Sequence, residues 1–338
     1  MFIRKRKQAF PVVKHEKIHL KSKLDDLING AYRLEKEGIS QSLLSNWTCR
    51  VKFLLSCQGL LPVDSGKGTH YGSICHDVLE KIYKDKKMLT KKEIDKIIDL
   101  FILKNQKKLS WNDREIEQLA AISRTVMLQY CKVYESDLKL MNIVETEKIF
   151  GQYIDRLSAN ALIKGKRDLL FSYVKDADTL YYMEHKTMGS VNEKVLKARL
   201  PIDKQNLFYL MSLLGEGRRV NNVIYNIIRK PQIKRTEWES IVDFCKRLDS
   251  DINDRPEFYF LRYPVYYSSS DIEDYRRQLI LKFREIDMFT KGKLSIYRNE
   301  SSCESAYNGT PFTCEYIDVC QSNDVSSLVK NDLFSELK

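Results

Sequence analysis

The 338-residue chain has no run approaching eighteen apolar residues, so no segment reads as a membrane-spanning helix. Its opening, MFIRKRKQAFPVVKHEK, lacks the apolar stretch of a secretory leader, and the expectation is a cytoplasmic protein with no membrane partner. Acidic residues are nearly missing from the first 23 positions, where eight Lys or Arg stand against Glu16 alone. Such an arm suits a polyanion, with Arg4, Lys5, Arg6 and Lys7 as candidate nucleic-acid contacts. A solvated tail or a localisation tag accounts for the charge equally well. Glycine and proline are scarce, at 13 and 7, and neither occurs between Gly72 and Gly151. That absence predicts a helical block over 72–140, with Asn112 and Glu115 as a capping box. An intracellular setting argues against a disulfide framework for the eight cysteines. Cys303, Cys314 and Cys320 fall within eighteen residues, which points to metal ligation.

With 43% hydrophobic and 30% charged residues, the chain can bury one large core or two modest ones. A Gly-rich connector, VDSGKGTHYGS, precedes the helical block. Strands are predicted at 145–154, 161–174 and 179–187, the last two joined by the polar turn KDAD. A helix follows over 203–214, then an apolar strand over 221–230, then helices over 236–252 and 271–289. The middle of the chain is therefore β-β-β-α-β within helical surroundings, a mixed α/β core.

The stretch LYYMEHKT, residues 180–187, puts Glu184 and Lys186 into an otherwise apolar strand. Burying both charges is costly unless they are paired or bind a cation. The pattern [D/E]-x-K occurs four times, at Asp85, Asp137, Glu184 and Glu336, and only at Glu184 does it lie on a strand. There the two side chains share one face, and a hairpin can set Asp168 beside them. Two carboxylates and a lysine form a hard-cation site for Mg²⁺ or Mn²⁺, suited to polarising a phosphodiester. A structural salt bridge at a strand edge is the alternative.

GKRD at 165–168, MEHK at 183–186 and QNLFY at 205–209 together resemble the PD-(D/E)XK nucleases, in particular the RecB-like branch that includes Cas4 and AddB nuclease domains. GSICHDVLE at 72–80 fits that branch's Gly-x-x-x-His-x-x-Leu-Glu segment. Arg167 stands where the superfamily's name has a proline nearby, a variable position in the branch. The resemblance implies a restriction-endonuclease-like core, a central mixed sheet flanked by helices, with a helical insertion and a Cys-rich C-terminal region. It implies an N-terminal arm and helix over 1–40 and a single nuclease domain over 41–338, with the catalytic α/β core at 144–230 and a Cys-rich closure at 300–322. His76, Asp168, Glu184 and the backbone carbonyl of His185 become metal ligands by that resemblance. Lys186 activates water or stabilises the transition state, and Gln205 and Tyr209 contact the site or the DNA backbone. YNIIRKPQIK at 225–234 resembles a segment of phage-type relatives, nominating Arg229, Lys230 and Lys234 as phosphate contacts, with a solvated basic turn as the alternative.

SQSLLSNWTCRVKF is similar to the segment that supplies the first ligand of a [4Fe–4S] cluster in several RecB-like nucleases. The implied set is Cys49, Cys303, Cys314 and Cys320. Only the x5 part of the familiar Cys-x2-Cys-x5-Cys spacing is kept. A structural zinc site, or reduced thiols with Cys57 as a rival to Cys49, stay open. The implied activity is a metal-dependent DNA exonuclease or end-processing enzyme of recombination, repair or phage DNA metabolism, working on single- or double-stranded ends. A helicase or annealing protein is a conceivable partner. A structure-specific endonuclease and a non-catalytic nucleic-acid-binding protein are the rival readings.

Overall fold

The computed structural model describes residues 37–62, 67–105, 112–154, 162–307, 310–322, 325 and 328–330. The basic arm, with Arg4, Lys5, Arg6 and Lys7, lies outside the described residues. In chain order the elements are α1 (Gln41–Ser45), a 3₁₀ turn (Asn46–Thr48), α2 (Arg50–Cys57), β1 (Leu60–Pro62), α3 (Lys67–Asp85), α4 (Lys91–Asn105), α5 (Asp113–Val133) and α6 (Asp137–Leu140). The central segment holds β2 (Met141–Tyr153), β3 (Leu162–Tyr173), β4 (Asp176–Met188), α7 (Glu193–Arg199), α8 (Lys204–Gly215) and β5 (Asn222–Arg229). The rest comprises α9 (Ile241–Asp254), α10 (Pro256–Tyr259), β6 (Phe260–Tyr266), α11 (Ser269–Thr290), β7 (Glu304–Tyr307), β8 (Thr310–Thr313), α12 (Ile317–Ser322) and β9 (Leu328–Lys330).

Five strands form one mixed sheet in the order β2-β3-β4-β5-β6. Only β4 and β5 run parallel, and α7 and α8 make the crossover between them. Alternation along the strands splits the apolar side chains between two layers. Tyr182 and Leu170 face a core with Phe208 of α8, Phe53 of α2 and Phe283 of α11. Met183, Leu169 and Phe171 face a second core with Val78 of α3, Val126 of α5 and Phe244 of α9. Helices thus cover both faces, giving the three-layer α/β arrangement of restriction-endonuclease-like proteins.

The Asn112–Glu115 capping box is present on α5. Three details depart from the sequence reading. Helix α3 begins at Lys67, so the glycine-rich stretch is largely helix rather than connector. Gly72 is tolerated there because α3 approaches β4: a Cβ at this position would sit 2.9 Å from Thr187 Oγ1. Helix α9 starts only at Ile241, capped by Ser240, because residues 235–239 form a turn stitched by Arg235 and Glu239. Strand β6 was hidden by Pro264, which a strand accepts only at a sheet edge, and β6 pairs with β5 alone.

The two ends of the described chain meet. Strand β1 pairs antiparallel with β9. Tyr316 Oη donates to the Leu60 carbonyl at 2.8 Å, and Asn299 Nδ2 donates to the Thr48 carbonyl at 2.9 Å. Residues 48–60 are therefore laced to residues 299–330 across one side of the sheet.

Candidate active site

The hairpin β3–β4 is paired from Tyr173/Asp176 to Leu169/Met183, and its ladder ends there. Asp168 and Glu184 are the next residues on each strand, at the mouth where the strands part. On the other side of β3 the rungs Thr146/Leu169 and Lys148/Arg167 bracket Glu147 and Asp168, which are not themselves paired. Glu147 has φ of +46°, a left-handed conformation unusual for a non-glycine residue. The alternation slips at this rung. Leu170 and Phe150 both face the α8 core, although an uninterrupted strand would place Arg167 and Leu170 on opposite sides. The slip turns Glu147 and Asp168 toward α3.

Helix α3 brings His76 to the same point. His76 Nδ1 lies 2.9 Å from Glu147 Oε1 and 3.7 Å from Asp168 Oδ1. Ligand atoms of His76, Glu147 and Asp168 all fall within 4.8 Å of one another, the only such group of three among the described residues. Lys166 Nζ reaches Glu147 Oε2 at 2.7 Å. Asp168 Oδ2 accepts the His185 backbone N–H at 2.7 Å. A residue's N–H and C=O leave an extended strand on the same side, so the His185 carbonyl is aimed at the same gap.

Glu184, buried, is fixed on both oxygens. Oε1 receives Lys186 Nζ at 2.8 Å and Gln205 Nε2 at 2.7 Å, and Oε2 receives the Tyr182 hydroxyl. Gln205 Oε1 in turn accepts from Lys186 Nζ at 2.7 Å, so the amide bridges the carboxylate and the ammonium. Helix α8 positions Gln205 in its first turn, where Asp203 caps the Gln205 and Asn206 N–H groups. Tyr209, one turn on, packs edge-on to Phe150 and Tyr182. Its ring also meets β3: a Cβ at Gly165 would lie 3.0 Å from Phe150 and 3.4 Å from Tyr209. Arg167 is almost wholly buried, its Nη2 reaching both Glu216 carboxylate oxygens at 2.8 and 2.9 Å and its Nη1 donating to Ser212 Oγ at 2.9 Å. It fastens β3 to the end of α8.

Burial and the nearby Glu184 push the Asp168 carboxyl up to about 8, with His76 opposing. Burial works to lower His76, but Asp168 and Glu147 outweigh it and raise the imidazole to about 9. Burial works to raise Glu147, yet His76 and Lys166 hold it below the usual carboxylate range. This crowding of acids is the electrostatic signature of a place that favours added positive charge. Carboxylate oxygens with one imidazole nitrogen fit a hard or borderline divalent cation such as Mg²⁺ or Mn²⁺.

A profile of the PD-(D/E)XK nuclease superfamily matches residues 40–321. The chain belongs to the PD-(D/E)XK nuclease superfamily. A crystal structure of a candidate exonuclease from Eubacterium rectale is similar at 12% identity and a TM-score of 0.48, covering 86% of this chain and 89% of that one. No curated protein matches the sequence. Asp168 and Glu184 stand on two adjacent strands of the central sheet, with Lys186 two residues beyond Glu184 on the second.

The structure brings His76, Asp168, Glu184, Lys186, Gln205 and Tyr209 together, and adds Glu147, which the motifs did not nominate. Glu147 lies on the first of the predicted strands, whose register against β3 no turn in the sequence fixes, and its left-handed φ leaves no mark there either. The other nominated sets divide. Arg229 is buried with its guanidinium 3.9 Å over Phe258, a packing role rather than an open phosphate contact. Lys230 Nζ lies 5.6 Å over Tyr71, and Lys234 is exposed. Cys49, Cys303, Cys314 and Cys320 are neighbours. Burial raises the Cys303 thiol, with Cys314 and Cys49 adding to it, and Cys320 feels all three others. Cys314 N–H donates to the Cys303 carbonyl at 2.7 Å. Burial raises the Cys57 thiol, which packs against the same core as Cys49 and Cys314. Among the described residues, no helix is long and apolar enough to cross a membrane.

Proposed function

We propose that this nuclease is a divalent-metal-dependent deoxyribonuclease of the RecB-like branch, acting as an exonuclease or end-processing enzyme in DNA recombination, repair or phage DNA metabolism. The observation that carries the reading is the junction of two clusters: His76, Glu147 and Asp168 within 4.8 Å, and Glu184 joined to Lys186 at 2.8 Å. His76, Asp168, Glu184 and the His185 carbonyl would hold the ion, with Glu147 in reach. When bound, Mg²⁺ or Mn²⁺ supplies a Lewis acid for the phosphodiester and eases deprotonation of the attacking water. Lys186 Nζ, shared between Glu184 and Gln205, is placed to orient that water or to meet the charge that develops on the phosphate oxygens. Gln205 keeps the lysine from folding away from the site. Lys230 and Lys234, with the arm at residues 4–7, would hold phosphates of the DNA, with salt-sensitive binding as the consequence.

The RecB-like assignment rests on Gly72, His76, Leu79 and Glu80 on α3 and on the Gln205/Tyr209 pair on α8. It also extends to the thiols. Cys49, Cys303, Cys314 and Cys320 would hold a [4Fe–4S] cluster that locks the two ends of the chain around the sheet, where β1–β9 pairing already joins them. Anaerobically purified protein carrying about four irons and broad visible absorption supports this. A colourless protein with one zinc per chain supports the structural zinc alternative.

DNA labelled at the 5′ end, DNA labelled at the 3′ end, and a circular substrate, each with Mg²⁺ or Mn²⁺, test the activity. The expected result is loss from ends with the circle intact, abolished in Glu184→Ala and Lys186→Ala. Nicked circles would indicate an endonuclease, and a gel shift without cleavage would indicate a binding protein.

A further inference from the structure

On the face of β4 opposite Glu184 and Lys186, the His185 side chain enters a buried polar network that the chemistry above does not use. Its Nδ1 is 2.9 Å from Asn226 Nδ2 on β5, and its ring stacks on Tyr83 of α3 with planes 9° apart. Asn226 is fully buried and touches Arg262 of edge strand β6 at 2.9 Å and Tyr130 of α5 at 3.2 Å. Arg262 grips Asp137 through two hydrogen bonds of 2.9 and 2.6 Å and donates to Tyr130 Oη at 3.1 Å. Tyr83 Oη is 3.0 Å from Tyr130 Oη and donates to Asp137 Oδ2 at 3.1 Å. Six polar side chains below the sheet are costly in a core unless each is satisfied.

Every hydrogen in this network has one consistent assignment. Arg262 can only donate, so the Asn226 atom it meets is the carbonyl oxygen Oδ1. The atom facing His185 is then the amide nitrogen, which donates, and His185 Nδ1 must accept. Tyr130 Oη receives Asn226 and Arg262 and passes its own proton to Tyr83, which passes its proton to Asp137. His185 is left as the neutral imidazole with its hydrogen on Nε2.

We infer that Asn226, oriented by Arg262 and Asp137, is a positioning residue. It locks the His185 ring in the Nε2–H tautomer and so holds the residue whose N–H binds Asp168 and whose carbonyl faces the cation. This rests on the metal-dependent reading above. The same residue is pinned from two sides, by Asp168 Oδ2 at its backbone nitrogen and by the Asn226–Arg262–Asp137 chain at its ring. Outer partners of this kind act on metal affinity without touching the ion.

Nitrogen NMR of protein with isotope-labelled histidine tests the tautomer directly, since the chain has only five histidines and His185→Gln identifies the signal. The expected wild-type result is a proton on Nε2 and none on Nδ1; a proton on Nδ1 overturns the inference with no other variant needed. Asn226→Asp replaces the donor by an acceptor of the same size and is expected to draw the proton to Nδ1. Asn226→Leu removes the partner. Both variants are expected to bind Mn²⁺ roughly tenfold more weakly in titration calorimetry while melting cooperatively. Folded variants with wild-type Mn²⁺ affinity overturn the positioning role while leaving the nuclease reading intact. A wild-type protein that binds no Mn²⁺ contradicts the nuclease reading itself.

Discussion

Glu147 and Asp168 face each other across β2 and β3 at an unpaired rung, and His76 Nδ1 lies 2.9 Å from the first and 3.7 Å from the second. The chain spends a left-handed residue, Glu147 at φ +46°, to make that meeting. Strain of this kind persists where the surroundings over-determine it, often at sites of function.

Glu147→Gln removes the charge that His76 and Lys166 share while keeping the side chain's size. The expected outcome is Mn²⁺ affinity weakened by about 10- to 100-fold, with cleavage recovered in part at high metal concentration. Calorimetric titration of the variant checks this. Unchanged affinity would make Glu147 a structural partner of Lys166 only.

Asp168→Asn is expected to stabilise the metal-free protein at neutral to alkaline pH while abolishing cleavage. The Asp168 carboxyl is raised by burial and Glu184 from an ordinary 3.8 to about 8. A raised carboxyl binds its proton more tightly folded than unfolded. Its contribution is therefore whole below pH about 4 and drains away as pH climbs toward 8. Thermal melts of wild type in EDTA should fall across that window, and those of Asp168→Asn should fall less. Mn²⁺ should lift only the wild type, as a ligand that binds the folded state. Equal slopes for the two proteins would show that Asp168 titrates normally.

Gly165→Ala should destabilise by about 1–3 kcal/mol, because a Cβ would press on Phe150 at 3.0 Å within the ring cluster of Phe150, Tyr182 and Tyr209. Denaturant melts measure the loss. Gly72→Ala is the milder case, since the Thr187 hydroxyl in its way can rotate. A larger loss at 72 than at 165 would contradict this ranking.

The pattern of apolar residues made the hairpin β3–β4, the strand β5 and the helix α8 legible, and with them the meeting of Asp168, Glu184 and Lys186, whereas Gln205 came only from the motif resemblance. The spacing of Gly72, His76, Leu79 and Glu80 pointed to the helix that carries His76 beside Glu147 and Asp168, though not to its start at Lys67. Strand β6 was illegible because Pro264 signals a break to any local reading, and its tolerance depends on being at the edge. Glu147 was missed for another reason. A left-handed φ at a glutamate is imposed by tertiary contacts with His76 and Lys166, which no local propensity encodes. Arg229 looked like a phosphate contact by charge, but it is buried with its guanidinium over Phe258.

Crystals soaked in Mn²⁺ and measured at the manganese absorption edge give the most direct test of the metal site. The expected result is one strong anomalous peak within coordination distance of His76, Asp168, Glu184 and the His185 carbonyl, lost in Glu184→Ala. A peak elsewhere, or no peak in a protein that still degrades DNA, would contradict it.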